Sequence, residues 1–415
     1  MRRSAAHTAT IVIVGAGHAG VQAAASLRER KFAGQVILVD AEARTPYQRP
    51  PLSKGYLSGT AAQIAPLRPR EFYDTNNIDL VRARVVGIDR TRRTVSLDDG
   101  RQLAYDHLIL ATGARNRNLS ISGANAAGAC PLRTADDARA VRRSFATARE
   151  VVVIGAGFVG LEVAAAAREQ GRTVSVIEAG NRVMARAVSS EMSQYLTTLH
   201  TRAGVTVRHR CSPTHVDVDE FGHAAGVRLD DGTTIGADLV VIGIGVQPNT
   251  ELAMSAGLAV DNGVCVDEYL RTTDPAIWAI GDCASVVTAG TRQRLESVQN
   301  AVDHARHVAA QLVGNHDPYQ AVPWFWTHQY GAKLQIAGTT TSLGETVVLG
   351  SAPEFSVLRF DGDVLTAVES VNRPGDHLAA RRLLAGSFRP GLSDARAPGF
   401  SLKDYAQRTT VGAAT

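Results

Sequence analysis

Cysteine is scarce in this chain, which has four thiols among 415 residues. Cys130, Cys211, Cys265 and Cys283 are far apart and form no CxxC or CxxxxC pair. That spacing argues against a zinc site, an iron–sulfur cluster and a redox disulfide, so we expect no metal centre. Few, scattered thiols fit a reducing compartment, and we expect the protein to be cytoplasmic.

Long apolar runs are also missing, since no stretch approaches about 18 consecutive apolar residues, and we expect no membrane span. The basic start runs straight into a glycine motif, which favours a strand over a signal-peptide core. No basic run is interleaved with aromatic residues, so nucleic acid is not an expected partner. The net charge is +4, and lysine is rare among the basic residues. This basic excess favours an acidic protein partner or reflects a preference for arginine codons.

An internal repeat organises the chain. Residues 11–40 read "IVIVGAGHAGVQAAASLRERKFAGQVILVD", and residues 151–178 read "VVVIGAGFVGLEVAAAAREQGRTVSVIE". Each segment predicts a strand, a GxGxxG turn, an Ala-rich helix and a second strand that ends in an acid. The glycines are Gly15, Gly17 and Gly20 in the first copy and Gly155, Gly157 and Gly160 in the second.

This spacing is typical of dinucleotide binding. The first glycine permits a sharp turn, the second lets the backbone approach a pyrophosphate, and the third lets the helix pack close to the strand. The acids, Asp40 and Glu178, stand where a carboxylate accepts hydrogen bonds from ribose hydroxyls. Two complete copies predict two dinucleotides, most simply FAD and NAD(P).

Each half continues in the same way, with a β-meander and a return strand. "YDHLILATGA", "DLVVIGIGVQPNTELA" and "IWAIGDCA" predict strands with ligand-facing tips. From Pro323 the pattern changes to a hairpin around Asp361–Gly362–Asp363 and a short helix over 376–386, and the tail after about residue 404 is expected to be loose. The fold class is therefore α/β, with two Rossmann-like dinucleotide-binding domains and a small α+β C-terminal domain.

Several longer motifs are more specific than the glycine turns: "PYQRPPLSKGYL", "GAGFVGLEVAA", "IGIGVQPNTELA", "AIGDCA", "ESVQNAVDHAR" and "PWFWTHQYGAKLQIAG". Through them the chain resembles, over roughly residues 9 to 390, the FAD-dependent NADH:ferredoxin reductases of the glutathione-reductase-like class. These reductases serve bacterial P450 systems and aromatic-ring dioxygenases. The resemblance implies an FAD domain from 1–117 and 247–322, an NAD domain from 118–246, and a C-terminal interface domain from 323–415. It also implies a [2Fe–2S] ferredoxin as partner, most simply one that supplies a P450, and a monomer or weak dimer.

The resemblance also carries residues over. For FAD it implies Gly15, Ala16, Gly17, Ala19, Gly20, Asp40, Glu42, Arg49, Lys54, Val85, Ala111, Thr112, Gly113, Arg133, Gly281, Asp282, Val298 and Trp326. For NAD it implies Gly155, Gly157, Phe158, Gly160, Glu178 and Gly245. The alternative for Asp282 is a helix N-cap, and for Trp326 it is core packing with Trp324 and Phe325.

The stretch "PYQRPPLSKGYLSG" has no cysteine where many flavoproteins carry a redox thiol. The resemblance places Lys54 beside the flavin and Glu162 as its counter-charge, and both are the expected catalytic residues. A fixed cation favours the electron-rich reduced flavin, and a buried lysine needs such a partner. We expect Pro50 and Pro51 to keep this loop out of a sheet or helix, and Ser53 to cap a helix that begins near Lys54.

Three departures from the family pattern leave questions open. The second strand ends Asp40–Ala41–Glu42, so the FAD ribose could bind Asp40 or Glu42. Asn116 stands where proline is usual. His328 stands where aspartate is common, and it either titrates near neutral pH or has no role.

Glu178 favours NADH over NADPH, because its charge repels a 2′-phosphate. The alternatives to a P450-type reductase are the reductase of a ring-hydroxylating dioxygenase and a redox-sensing binding flavoprotein. A thiol-based peroxidase, oxidase or disulfide reductase is disfavoured by the missing cysteine.

Overall fold

The structure, a computed structural model, describes residues 9–288, 290–339 and 344–412. It divides into two compact units, each built from separated segments. The first unit contains the described residues of Met1–Gln48, Ala65–Arg115 and Val246–Ala321, and the second those of Arg49–Ile64, Asn116–Gly245 and Val322–Thr415. Residues 49–64 thus group with the second unit, whereas the division drawn from the sequence puts them in the first. That division into FAD, NAD and interface domains stays a prediction.

The first unit is built on a five-stranded parallel sheet. Its strands lie in the order Ile277–Ala279, His107–Leu110, Thr10–Val14, Gln35–Asp40 and Ile78–Arg82. The meander is an antiparallel sheet of the strands Val85–Asp89, Thr94–Leu97 and Gln102–Ala104. A third sheet consists of the strands Val264–Val266, Ala284–Thr288 and Thr291–Gln293. The helices are His18–Glu29, Arg70–Thr75, Glu251–Ser255 and Val298–Leu312, with a 3₁₀ turn at Gly281–Cys283. The central strands are apolar throughout because helices cover a parallel sheet on both faces.

The second unit repeats this plan and adds a further layer. Its parallel sheet has the order Val205–His209, Thr173–Glu178, Glu150–Ile154, Leu239–Ile242 and Ala129–Pro131. The meander is Pro213–Val218, Ala224–Leu229 and Thr234–Gly236. The helices of this part are Gly55–Ser58, Ala135–Phe145, Phe158–Glu169 and Ser190–Arg202. Of the two further short strands, Val246–Pro248 belongs to the first unit, and Ala114–Asn116 contains the point in the chain where the first unit ends and the second resumes. The repeat in the sequence is therefore a repeat in the structure, as predicted.

The C-terminal part of the second unit is an antiparallel sheet with helices. Its strands lie in the order Trp324–Gln329, Ala332–Gly338, Val364–Val371, Glu354–Asp361 and Thr346–Ser351. The predicted hairpin is confirmed, because Asp361 pairs with Val364 around Gly362–Asp363. The helix Pro374–Ala385 ends at Gly386, as predicted, and Leu392–Arg396 and Leu402–Gly412 follow. The expectation of a loose tail after about residue 404 is wrong, since Leu402 and Ala406 are buried in this part's core. Residues 413–415 lie outside the described residues.

No helix among the described residues is long and apolar enough to cross a membrane.

Candidate functional site

The first glycine turn has the geometry that a pyrophosphate site requires. Gly15 adopts a left-handed φ of 108°, and a Cβ there would lie 2.3 Å from the carbonyl oxygen of Ala111. A Cβ on Gly20 would lie 1.8 Å from the carbonyl oxygen of Gly15, so only glycine lets the helix pack this close to the turn. A Cβ on Gly17 would meet nothing within 4 Å. Open space therefore lies beside the N-terminus of the helix His18–Glu29, and the dipole of a helix favours an anion at this end.

The second turn reproduces these features in the second unit. Gly155 has a φ of 100°, and its Cβ would lie 2.5 Å from the carbonyl oxygen of Gly243. A Cβ on Gly160 would lie 2.0 Å from the oxygen of Gly155, whereas one on Gly157 would meet nothing within 4 Å. Both turns thus fit the pyrophosphate of a dinucleotide, one in each unit.

The acids at the tip of the first βαβ repeat differ in their surroundings. Asp40 is buried and accepts hydrogen bonds from Arg82 Nη1 at 2.9 Å and from the backbone N–H of Glu42 at 3.1 Å. Glu42 is more accessible and accepts a hydrogen bond from the hydroxyl of Tyr47 at 2.6 Å. Asp40 therefore stabilises the loop, and Glu42 is the more accessible carboxylate.

Glu178, the corresponding acid of the second repeat, is tied to its own glycine turn. Its Oε2 accepts the backbone N–H of Ala156 at 2.8 Å, and its Oε1 accepts that of Gly180 at 2.7 Å. Ala156 stands between the first two glycines of the motif. The carboxylate is thus held at the glycine turn by two backbone donors.

The other residues predicted for FAD in the first unit lie at strand ends and helix starts. Thr112 donates its hydroxyl to the oxygen of Asn249 at 2.7 Å, and Asn249 donates its backbone N–H to Gly113 at 2.9 Å. Gly281 has a left-handed φ of 71°, and a Cβ there would lie 3.0 Å from that of Ala19.

Asp282 lies inside the 3₁₀ turn Gly281–Cys283, whose N-cap is Ile280, so the N-cap alternative for Asp282 is wrong. Val298 opens the helix Val298–Leu312, and Val85 opens the strand Val85–Asp89. Ala111 follows the strand His107–Leu110, and Ala16 lies buried inside the first glycine turn.

The remaining predicted residues lie in the second unit. Arg49 Nη1 donates to the carbonyl oxygen of Arg133 at 3.0 Å. Trp326 is half-buried on the strand Trp324–Gln329, with its ring centroid 5.3 Å from that of Trp324. Phe158 stacks on Phe325 at 6.4 Å. Gly245 has a left-handed φ of 95°.

Lys54 and Glu162 form the ion pair expected from the sequence. Lys54 Nζ lies 2.8 Å from Glu162 Oε1, and the glutamate is almost fully buried while the lysine side chain keeps 23% of its exposure. Glu162 also accepts the hydroxyl of Thr327 on Oε1 at 2.6 Å and that of Ser53 on Oε2 at 2.5 Å. A buried carboxylate is tolerated here because both of its oxygens have donors.

Two expectations about this loop are wrong. Ser53 does not cap the helix Gly55–Ser58, whose N-cap position is Lys54, because its hydroxyl donates to Glu162 instead. Pro50 and Pro51 do not exclude helical structure: they occupy the first positions of a 3₁₀ turn, Pro50–Ser53, where proline costs no hydrogen bond. This turn brings Ser53 and Lys54 to the same carboxylate.

His328, the third departure from the family pattern, is partly buried. This burial, followed by the charges of Lys54 and Lys333, lowers the pKa of the His328 imidazole below its ordinary value. The lowered pKa favours the neutral form of the ring.

Ser53 and Thr327 are partners of Glu162 that the sequence did not predict. For Thr327 a signal was available: in an extended strand its side chain points to the face opposite Trp326 and His328. For Ser53 there was none, since the partner is 109 residues away in the chain.

Comparisons with known proteins agree with this geometry. The chain matches the pyridine nucleotide-disulphide oxidoreductase family over residues 9–305 and the reductase C-terminal family over residues 324–406. This chain belongs to the pyridine nucleotide-disulphide oxidoreductases. All four cysteines are free, so this member lacks the redox disulfide of the family's name. Members of the family use FAD and NAD(H), and the two glycine turns fit these cofactors.

Individual relatives cover almost the whole chain. Rhodocoxin reductase of Rhodococcus erythropolis is 51% identical over 400 residues, which is 95% of this chain and 93% of that protein. The ferredoxin reductase of the CYP199A2 system of Rhodopseudomonas palustris superposes with a TM-score of 0.93 at 44% identity and covers 96% of this chain and 99% of its own. The reductase in a covalent putidaredoxin reductase–putidaredoxin complex superposes with a TM-score of 0.93 at 37% identity. The match covers 97% of this chain and 99% of that one.

Proposed function

We propose that this protein is an NADH-dependent ferredoxin reductase that supplies electrons to a cytochrome P450 through a small [2Fe–2S] ferredoxin. The observation that carries the proposal is the Lys54–Glu162 ion pair in a chain with two dinucleotide turns. NADH delivers two electrons at once and a [2Fe–2S] ferredoxin accepts one, and bound FAD supplies the chemistry that changes the electron number.

The residues of the chain would bind and orient the two cofactors. Gly15, Gly17 and Gly20 would accept the FAD pyrophosphate, Glu42 its ribose, and Gly155, Gly157 and Gly160 the NADH pyrophosphate. Glu178 would place a negative charge beside the NADH adenosine ribose and disfavour NADPH. Lys54 would supply a fixed cation that favours the reduced cofactor.

The choice of acceptor rests on the relatives. Rhodocoxin reductase and the CYP199A2-system reductase are each similar to this chain along nearly all of their length. The absence of a thiol pair among the four cysteines argues against the disulfide-reducing alternative. Free thiols also support a cytoplasmic location as part of this proposal.

NADH-dependent reduction of cytochrome c, measured with and without an added [2Fe–2S] ferredoxin, tests the function. We expect the rate to depend strongly on the ferredoxin, and substrate hydroxylation to follow when a P450 is added. Equal rates without ferredoxin would contradict the proposal and indicate an oxidase or diaphorase. If the rate depends on ferredoxin but the electrons reach a ring-hydroxylating dioxygenase and not a P450, only the terminal acceptor in the proposal changes.

A further inference from the structure

A row of buried polar side chains in the second unit starts at Glu162 Oε1, the oxygen that Lys54 also contacts. Gln329 Nε2 lies 3.0 Å from Thr327 Oγ1, and Gln329 Oε1 lies 2.7 Å from Nε2 of His200. Thr327, Gln329 and His200 are each at most 3% exposed. We call Glu162, Thr327, Gln329 and His200 the buried chain.

The direction of each hydrogen bond follows from Glu162. An ionised carboxylate can only accept hydrogen bonds, so Thr327 must donate its one hydroxyl proton to Oε1 of Glu162. Thr327 can then only accept from Gln329, which turns the amide nitrogen of Gln329 toward Thr327 and its carbonyl oxygen toward His200. His200 must therefore donate from Nε2.

The opposite arrangement fails at one link. Turning the Gln329 amide around would present its oxygen to Thr327, whose only proton is already used on Glu162. Burial lowers the pKa of the His200 imidazole, so the ring carries a single proton. That proton is on Nε2, and Nδ1 carries none. This agrees with the observation that Nδ1 has no hydrogen-bond partner among the described residues.

We propose that Thr327, Gln329 and His200 are positioning residues of the Lys54–Glu162 pair. They form a one-way row of donors, all directed toward Glu162, that holds its carboxylate in place for Lys54. A row of aligned hydrogen bonds strengthens each member. The role in turnover rests on the proposed function, whereas the proton positions do not.

The row also links distant parts of the second unit. His200 lies in the helix Ser190–Arg202, Gln329 and Thr327 in the strand Trp324–Gln329, and Glu162 in the helix Phe158–Glu169. The charge on Glu162 therefore specifies which nitrogen of His200, three hydrogen bonds away, carries the proton.

Nitrogen-15 NMR of the full-length protein labelled at histidine tests the proton positions directly. The chain has 12 histidines, and the His200 signals are those lost in His200→Gln. We expect the neutral Nε2–H tautomer in the wild type and in Thr327→Ser, which keeps the hydroxyl. In Thr327→Val, of nearly equal shape, the Gln329 amide is released and we expect a mixture of tautomers. An Nδ1–H tautomer or a doubly protonated ring in the wild type would overturn the proposal, as would a tautomer unaffected by Thr327→Val.

Turnover of the holoenzyme tests the positioning role. We expect kcat to fall several-fold in Thr327→Val and in His200→Leu with little change in KM for NADH. Thr327→Ser should retain the wild-type rate, and His200→Gln, which keeps a donor, should recover part of it. Unchanged flavin content and melting temperature show that each variant is folded. A fall in Thr327→Ser equal to that in Thr327→Val would overturn the role of the hydroxyl.

The two readouts separate this inference from the function. If the tautomer result holds while ferredoxin reduction fails, the buried chain stands and the proposed function falls. If ferredoxin reduction holds while His200 has the other tautomer, the function stands and the buried chain is wrong.

Discussion

Ser189 and Glu369 are joined by two hydrogen bonds in the core of the second unit. The backbone N–H of Ser189 donates to Glu369 Oε1 at 2.7 Å, and its hydroxyl donates to Oε2 at 2.6 Å. Ser189 also caps the helix Ser190–Arg202 by accepting the backbone N–H of Met192 at 3.2 Å, and Arg359 Nη1 lies 3.1 Å from Glu369 Oε1. The C-terminal sheet therefore holds the start of the helix that carries His200.

Glu369 should make the stability of the protein depend on pH. Its complete burial raises the pKa of the carboxyl group despite the donors around it. A folded-state pKa above the unfolded one means that the folded state binds more protons, so the contribution of Glu369 to stability is fully present below the ordinary glutamate pKa, about 4.3, and is lost as the pH rises. We expect the free energy of unfolding of the wild type, relative to Glu369→Gln, to decrease from pH 4 upwards. Urea unfolding of both proteins across pH checks this, and a difference that grows with pH would contradict it.

The first glycine turn predicts opposite outcomes for two neighbouring substitutions. Gly20→Ala places a Cβ against the carbonyl oxygen of Gly15. We expect this clash in the first unit to lower the free energy of unfolding by about 1–3 kcal/mol or more. Gly17→Ala meets no protein atom, so we expect a folded protein that binds FAD more weakly, because the new methyl group occupies the approach of the pyrophosphate. Thermal unfolding and FAD content distinguish the two. Full FAD content in a folded Gly17→Ala would argue against this turn as the FAD site.

Asp40 and Glu42 should differ in what they support. Asp40→Asn weakens the contact with Arg82 and should cost about 1–3 kcal/mol of stability, while FAD affinity changes less. Glu42→Gln should leave stability nearly unchanged and lower FAD affinity, since Glu42 is the more accessible carboxylate. FAD titration of the apoprotein together with unfolding curves measures both. The reverse assignment would follow if Asp40→Asn lost FAD and Glu42→Gln did not.

Glu178 should control the choice of coenzyme. We expect Glu178→Gln to narrow the preference for NADH over NADPH, because the amide has no charge to repel a 2′-phosphate. Glu178→Ala should in addition raise KM for NADH, because it leaves the backbone N–H groups of Ala156 and Gly180 without their acceptor. Steady-state kinetics with both coenzymes tests this. A wild type that prefers NADPH would refute this role of Glu178.

Lys54→Ala should slow reduction of the enzyme by NADH at least about tenfold, the factor that corresponds to about 1.4 kcal/mol of lost electrostatic stabilisation. Lys54→Arg keeps a cation and should recover part of the rate. Lys31→Ala, at an exposed position in the first unit, is the control for loss of a lysine. Stopped-flow absorbance of the flavin measures the rate. An unchanged rate and flavin content in Lys54→Ala would remove Lys54 from the catalytic residues.

Local periodic features were predicted correctly from the sequence. The strand–turn–helix–strand repeats, the hairpin at Gly362–Asp363 and the end of the helix Pro374–Ala385 follow from patterns within a few residues. The helical tail was not predicted, although Leu402 and Ala406 have the spacing of a helix. A short helix is stabilised mainly by tertiary packing, and these two residues pack into a core that other elements build.

The sequence by itself determined the two dinucleotide turns, because each strand, glycine turn, helix and second strand lies within one continuous segment of the chain. It also determined the absence of a redox thiol pair. The tertiary structure alone decided that Ser53 serves Glu162 and not a helix end, that Asp40 is held by Arg82, and that Thr327, Gln329 and His200 form a row of donors. All of these contacts except that between Thr327 and Gln329 join residues far apart in the chain. Their formation depends on which buried polar groups must be satisfied once the elements have packed.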